Sequence, residues 1–286
     1  MKKKRTGNND IVIVGLGLMG ASLALALQKK MPRGGIVALS RNTRKIKDAV
    51  KKRIIGRGTS DPATAFARAA IIIIATPVRT IQRYITLAEK HAPCGTLVTD
   101  VGSTKKELVE WADKKKFKNI RFIGSHPLAG SDRSGMHNAV GDLYEREICF
   151  VTPGRQTSIV HVRKVNAFWK SVGARVIVIA PALHDKLLAA SSHYPHLLAY
   201  ALMNCMDRTS KTALKYVGAG FKDTTRIAAS APDIWYDIIV SNKKNIVRKN
   251  KEMIDELKRV HALIQRADKH AIKQYLTRAK RLRDFL

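Results

Sequence analysis

Up to about Ala180, hydrophobic positions come as short apolar runs separated by stretches with helical spacing. Ile11, Val12, Ile13 and Val14 form a β-branched run, the composition a buried strand favours. Glycines follow, then an apolar stretch over 19–28 that predicts a helix. The pattern continues with a strand at 36–39, a helix at 43–52, and an all-aliphatic run at 70–75 suited to a central strand covered on both faces. A helix is predicted over 80–91, a strand over 96–99, and a helix over 104–112 that Ser103 can cap with its hydroxyl. Further strands are predicted at 122–123, 148–151 and 175–179, with a helix at 158–171. Strands alternating with helices indicate an α/β fold, a doubly wound parallel sheet. After Pro181 the pattern changes: 183–205, 234–242 and 245–266 have helical spacing and no strand signal. The reading is therefore two domains, 1–179 α/β and 180–286 all-α.

Composition alters this picture little. With 286 residues, 45% of them hydrophobic, the chain can bury one large or two medium cores. No apolar stretch reaches the length of a membrane span, and the basic first residues lack the apolar segment of a signal peptide. Cys94, Cys149 and Cys205 are too few and too scattered for a disulfide framework or a thiolate metal site, which indicates a cytoplasmic location. The 53 Lys+Arg against 22 Asp+Glu give a formal +31. Charge on that scale attracts anions, nucleic acid included. Without a recognisable nucleic-acid module it indicates a basic surface, and nucleic acid is not expected as the main partner.

Between the first strand and helix stands Gly15-Leu16-Gly17-Leu18-Met19-Gly20. In that context the glycine spacing predicts a dinucleotide site: Gly15 for the tight turn, Gly17 for approach of a pyrophosphate, Gly20 for helix–strand packing. The second strand ends without a carboxylate, in Ser40-Arg41-Asn42-Thr43-Arg44. Ser40, Arg41, Thr43 and Arg44 can bond a ribose 2′-phosphate, so NADP is favoured and NAD stays open; Arg41 and Arg44 also read as plain surface cations. Thr76 and Pro77, after the aliphatic strand, complete the expected cofactor set.

Three more segments carry chemistry: Asp100-Val101-Gly102-Ser103-Thr104-Lys105; Gly124-Ser125-His126-Pro127-Leu128-Ala129-Gly130-Ser131-Asp132-Arg133-Ser134-Gly135; and, in the helical half, His193-Tyr194-Pro195-His196 with Gly218 to Arg226 and Trp235. In open α/β sheets ligands sit beyond the carboxyl ends of the strands, where Ser103 and His126 are expected. His193 and His196 share a helical face if Pro195 allows it, but no third ligand is evident and no metal is expected.

Together these segments resemble the prephenate/arogenate dehydrogenases, from about Ile11 to the Trp235 helix and more loosely to Arg266. The resemblance implies a Rossmann domain, a helical dimerisation domain, a homodimer, and a site in the cleft between the domains. It implies NAD(P)-linked oxidative decarboxylation of prephenate or arogenate in tyrosine biosynthesis. By it, His126 takes the proton of the ring hydroxyl, a task that suits an imidazole. Ser103 orients the hydroxyl, with Lys222 reaching it, and Arg226 clamps the ring carboxylate with its planar fork. Asp132 stands where relatives often carry Glu, and its shorter side chain weakens a pairing with Arg226. Ser131, His193, His196, Asp223 and Trp235 are expected to line the substrate site, Asp223 and Trp235 either from the same subunit or across the dimer; Trp235 reads equally as core. His184, before Asp185, is a further cleft candidate. Ala219 replaces a frequent Gly, which leaves tyrosine feedback open. The length leaves no room for a fused regulatory domain, so any feedback is expected within the catalytic dimer. Two other readings compete: a β-hydroxyacid type of Rossmann dehydrogenase, and a basic nucleic-acid-binding protein on a dehydrogenase fold.

Overall fold

A computed structural model describes residues 10–130, 135–209 and 212–285. Strands β1 (Asp10–Val14), β2 (Ile36–Leu39), β3 (Arg57–Thr59), β4 (Ala69–Ile74), β5 (Thr96–Asp100) and β6 (Ile120–Phe122) form a parallel sheet in the order β3-β2-β1-β4-β5-β6. This is the doubly wound order, with its crossover reversal between β1 and β4. Helices α1 (Leu18–Gln28), α2 (Thr43–Lys51), α3 (Pro62–Phe66), α4 (Val78–His91) and α5 (Lys106–Lys115) connect the strands.

The aliphatic runs are explained by burial on both faces. Ile13, Ile36 and Ile73 pack with Leu23, Leu27, Tyr144 and Trp169 on one side. Val12, Val14, Ile72 and Ile74 pack with Phe66, Ile81 and Ile85 on the other. Two-residue alternation sends neighbours along one strand to opposite cores, so both must be apolar.

The chain then leaves the main sheet. β7 (Gly124–Pro127) follows β6 after one residue and pairs antiparallel with β8 (Ile148–Thr152), which pairs parallel with β9 (Arg175–Val178). These three strands make a separate small sheet; β8 and β9 were legible as strands in the sequence, whereas β7 was not, its residues being read as the segment after a strand. Between β8 and β9 runs α6 (Ile159–Ser171), whose cap Ser158 accepts from the Val160 N–H at 3.3 Å.

From Pro181 on, the described residues are helical or irregular: α7 (Pro181–Leu188), a π-helical turn (Ala189–His193), α8 (Tyr194–Thr209), α9 (Ala219–Thr225), α10 (Pro232–Ser241), α11 (Lys243–Arg266) and α12 (Lys269–Arg283). The π turn lies just ahead of Pro195, which has no N–H to continue the ladder. Helix α12 has no counterpart in the sequence reading; its Asp268 caps the His270 and Ala271 N–H groups at 3.0 Å each. Among the described residues no helix is long and apolar enough to cross a membrane.

The sequence places a Ser103 cap on a helix starting at Thr104, and the structure corrects this. Helix α5 begins at Lys106 and its cap position carries no side-chain bond. The donors it leaves open are met from the helical half: Asp185 accepts the Lys105 N–H at 2.8 Å and the Lys106 N–H at 3.0 Å. Thr104 and Ser241 hydroxyls meet at 2.9 Å, and Arg79 lies 3.8 Å from Asp237. These contacts seat the helical half at the carboxyl ends of β4 and β5.

Candidate active site

The glycine loop occupies the reversal point of the sheet. Gly15 has φ +100°, and a Cβ there would run into the Ala75 carbonyl oxygen. A Cβ on Gly20 would strike the Gly15 carbonyl oxygen, which fixes how closely α1 lies on β1. Around Gly17 nothing among the described residues lies within 4 Å of a Cβ position, the open approach a phosphate needs above a helix N-terminus. Leu16 and Leu18 are buried, and Met19 packs partly buried against the core. The Gly15 N–H donates to the Leu39 carbonyl at 2.9 Å, so the end of β2 and its Ser40 lie beside the loop. Arg41, Thr43 and Arg44 are exposed there, and Asn42 caps α2 by accepting from the Lys45 N–H. Thr76 is next to Gly15 and hydrogen-bonds Thr80 at 2.9 Å; Pro77 opens α4. The structure thus brings the end of β2 and Thr76 to the glycine loop, with Arg41, Thr43 and Arg44 exposed at the start of α2, and the open space at Gly17 fits a dinucleotide phosphate.

The polar centre lies beyond β5. Asp100, fully buried, ion-pairs with buried Lys105 and accepts from the Gly102 N–H at 2.8 Å and the Ser125 N–H at 3.1 Å. One carboxylate therefore ties the Ser103 loop to the strand of His126. Ser103 itself is half-buried. His126 sits within β7, 8% exposed, rather than beyond a strand end. Its Nδ1 meets His184 Nε2 at 2.9 Å, and His184 Nδ1 meets Asp185 Oδ1 at 2.7 Å. Burial holds the His126 pKa well below the ordinary histidine value, helped by the charges of His184, Lys105 and His193. Burial also lowers His184, against the opposing pull of Asp185. Both rings are neutral at neutral pH, the state a base requires.

The helical half supplies a second wall. His193, 1% exposed, faces Asn242 Nδ2 through its Nδ1 at 3.1 Å. That amide nitrogen also donates to the Asp185 carbonyl at 2.8 Å, so Nδ1 of His193 accepts and Nε2 carries the proton. His193 Nε2 is buried with no hydrogen-bond partner among the described residues. Burial pushes the His193 pKa down to about 4. Trp235 stacks on His196 with ring centroids 3.7 Å apart and meets His193 edge-on at 6.2 Å. Trp235 is buried, as the core reading expects, and it packs against both histidines. The Arg226 charge helps hold the His196 pKa down, after burial itself, so the guanidinium lies near that ring.

Lys222 and Asp223 lie exposed on α9, and no hydrogen bond joins Lys222 to Ser103 among the described residues. Ser131 and Asp132 fall outside the described residues. Among the described residues no cluster of three or more His, Cys, Asp or Glu side chains is arranged to hold a metal. In the sequence Asp100 and Lys105 stood within the Ser103 segment and Asp185 beside His184, none with a role of its own, and Asn242 was missed; nothing local announces a lysine buried to 0% exposure.

Comparison with known proteins follows the same two-part division. A family profile described as "Prephenate dehydrogenase, nucleotide-binding domain" matches residues 23–178, and one described as "Prephenate dehydrogenase, dimerization domain" matches residues 180–278. A prephenate dehydrogenase of Bacillus subtilis is 32% identical over 282 residues, covering 97% of this chain and 76% of the relative. The structure of prephenate dehydrogenase from A. aeolicus, in complex with hydroxyphenyl propionate and NAD+, superposes with a TM-score of 0.89 at 32% identity, covering 98% of this chain and 99% of that one. Synechocystis arogenate dehydrogenase superposes with a TM-score of 0.82 at 26% identity, covering 96% and 99%.

Gly20→Ala is expected to cost about 1–3 kcal/mol of stability through overpacking. Gly17→Ala, in open space, is expected to change stability by less than about 0.5 kcal/mol while weakening dinucleotide binding. Urea unfolding and fluorescence titration separate the two, and equal stability loss in both variants contradicts the assignment. Acid is expected to destabilise the fold. The unfolded His193 binds its proton near pH 6.5 and the folded one only near about 4, so stability is present above that window and is lost as pH falls through it. A single histidine shifted this far contributes about 3 kcal/mol. Urea midpoints that stay flat from neutral pH down to about 4 contradict this.

Proposed function

The chain belongs to the prephenate dehydrogenase family, and on that premise we propose that it oxidises and decarboxylates prephenate, arogenate or both, yielding 4-hydroxyphenylpyruvate or tyrosine. One observation carries the reading: a buried imidazole at His126, held through Nδ1 by His184, on a strand that Asp100 ties to the Ser103 loop. Residues 1–179 hold the dinucleotide and residues 180–286 complete the substrate cleft.

A dinucleotide held over Gly15, Gly17 and Gly20 would supply a nicotinamide as the acceptor of the hydride on ring carbon 4. His126 Nε2 takes the proton of the 4-hydroxyl as that carbon becomes a carbonyl. Arg226 holds the ring carboxylate in its fork until it departs as CO2. The electron pair left behind aromatises the ring and puts negative charge on the 4-oxygen, which recovers the proton from His126. Ser103 orients the hydroxyl toward the imidazole. His193, His196 and Trp235 line the remaining cleft. Lys222 and Asp223, exposed on α9, reach the site by closure or from a second subunit.

NADP is the proposed preference. Ser40, Arg41, Thr43 and Arg44 supply donors and charge where a carboxylate would repel the 2′-phosphate. A homodimer is proposed from the unpartnered face of α11 and α12: Val247, Ile254, Leu257, Ile264, Leu276 and Leu282 are each at least 43% exposed. Their near-heptad spacing on α11 is that of a helix–helix seam. Tyrosine feedback, if present, acts in the same cleft at His196. Cys94, Cys149 and Cys205 are in no disulfide, which supports a cytoplasmic setting. The β-hydroxyacid and nucleic-acid readings are set aside, since the family match spans both halves of the chain.

The test is spectrophotometric, with prephenate or arogenate against NAD or NADP; no reduced cofactor in any of the four combinations overturns the reading. His126→Ala is expected to lower kcat by about 100- to 10,000-fold with dinucleotide Kd unchanged. Arg226→Ala is expected to raise KM at least about tenfold. The double variant Arg41→Ala, Arg44→Ala is expected to raise KM for NADP about tenfold or more and leave that for NAD within about twofold. Equal effects on both cofactors contradict the NADP preference. Light scattering is expected to give twice the 31.8 kDa chain mass, and a monomer contradicts the seam.

A further inference from the structure

The contacts behind His126 determine which of its nitrogens is bare. Asp185 accepts backbone N–H groups at both oxygens, Lys105 at Oδ1 and Lys106 at Oδ2. Its Oδ1 also meets His184 Nδ1 at 2.7 Å, so that nitrogen carries a proton and donates it. In the neutral ring His184 Nε2 is then a lone pair, and it faces His126 Nδ1 at 2.9 Å. His126 Nδ1 must donate, which leaves Nε2 as the acceptor.

Packing fixes the geometry of this chain. Phe150, the register partner of His126 across β7 and β8, meets the His184 ring edge-on at 5.4 Å. The two imidazoles meet edge-on at 5.1 Å. His184 is 0% exposed and Asp185 2% exposed, so water does not compete for these bonds.

We propose that His184 and Asp185 are positioning residues that hold His126 in the Nδ1–H tautomer, so that its Nε2 lone pair faces the substrate hydroxyl. The inference rests on His126 as the proton acceptor but concerns a different pair of residues. When His126 takes the hydroxyl proton at Nε2, its Nδ1–H already points at an acceptor backed by a carboxylate. The new charge is stabilised without a second proton moving, the role a buried carboxylate plays behind a histidine base. Asp185 also caps the turn after Ser103, so the same side chain sets the register of the serine loop against the imidazole. The charged and titratable groups facing His126 are His184, Lys105 and His193, with Asp100 behind Lys105 and Asp185 behind His184.

The experiment compares the full-length protein with His184→Leu and His184→Gln. Glutamine can return an acceptor oxygen to His126 Nδ1, and leucine cannot. His184→Leu is expected to lower kcat about 100-fold with KM and dinucleotide Kd within about threefold. His184→Gln is expected to recover at least about tenfold of that loss. Long-range proton–nitrogen NMR of histidine-labelled protein, without substrate or cofactor, is expected to show His126 as Nδ1–H in wild type and in the glutamine variant, and as Nε2–H in the leucine variant. A wild-type His126 in the Nε2–H form overturns the proposal, as does a folded leucine variant with wild-type kcat. Should the leucine variant fail to fold, the wild-type and glutamine spectra still decide. A wild-type Nδ1–H signature without turnover of either substrate upholds the tautomer assignment and refutes the proposed reaction, so the two failures are distinguishable.

Discussion

The two halves of this protein are joined by a carboxylate serving a helix that is not its own. Helix α5 begins with backbone donors that its own sequence does not satisfy, and Asp185 of α7 accepts two of them. Unpaired buried donors are costly, so the helical half is tied to the end of β5 by a strong local requirement. Everything in the cleft is arranged around that tie. Ser103 lies just ahead of the capped turn, His184 adjoins the carboxylate, and His126 adjoins His184.

A second buried charge complements the first. The Asp100–Lys105 ion pair is withdrawn from water, and pairs of this kind bring little net stability against hydrophobic alternatives. Its value here is geometric and electrostatic. Asp100 bonds both the Ser103 loop and the strand of His126, and the Lys105 charge works with burial to keep His126 neutral. With Asp185 facing the same turn, the polar centre is held between two carboxylates from different elements. Both are absorbed by backbone donors or a lysine, which leaves the imidazole available for chemistry.

The sequence made the frame readable wherever burial is two-sided and local. The runs at Ile11 to Val14 and in β4 had to be apolar because neighbours on one strand enter opposite cores, and the glycine loop sits between a strand and a helix by its own spacing. Strand β3, Arg-Gly-Thr at an edge, carries no apolar signal. Helix α12 is so rich in lysine and arginine that no stripe stood out. Local patterns also did not show that β7, β8 and β9 leave the main sheet, since a strand's residues do not name its partner. In the site, His126, Ser103, His193, His196, Trp235 and Arg226 were visible as motif residues, and the structure connects His126 through His193 and Trp235 to His196 and Arg226. Asp185 and Lys105 stood beside or within the motif segments without a role, and Asn242 was not visible, because what each does depends on a partner from another element: the Lys105 and Lys106 N–H groups for Asp185, Asp100 for Lys105, and His193 for Asn242. Ser103 read as a cap for the complementary reason: the local rule is sound, but a distant carboxylate fills the place.

The account stands on His126 presenting a bare nitrogen to the oxygen that becomes the phenol. A crystal structure of the ternary complex, with a nicotinamide dinucleotide and a 4-hydroxyphenyl acid, tests this most directly. It should place His126 Nε2 within about 3 Å of the ring hydroxyl, with carbon 4 against the nicotinamide face. A hydroxyl held by some other base, with His126 pointing out of the cleft, would contradict it.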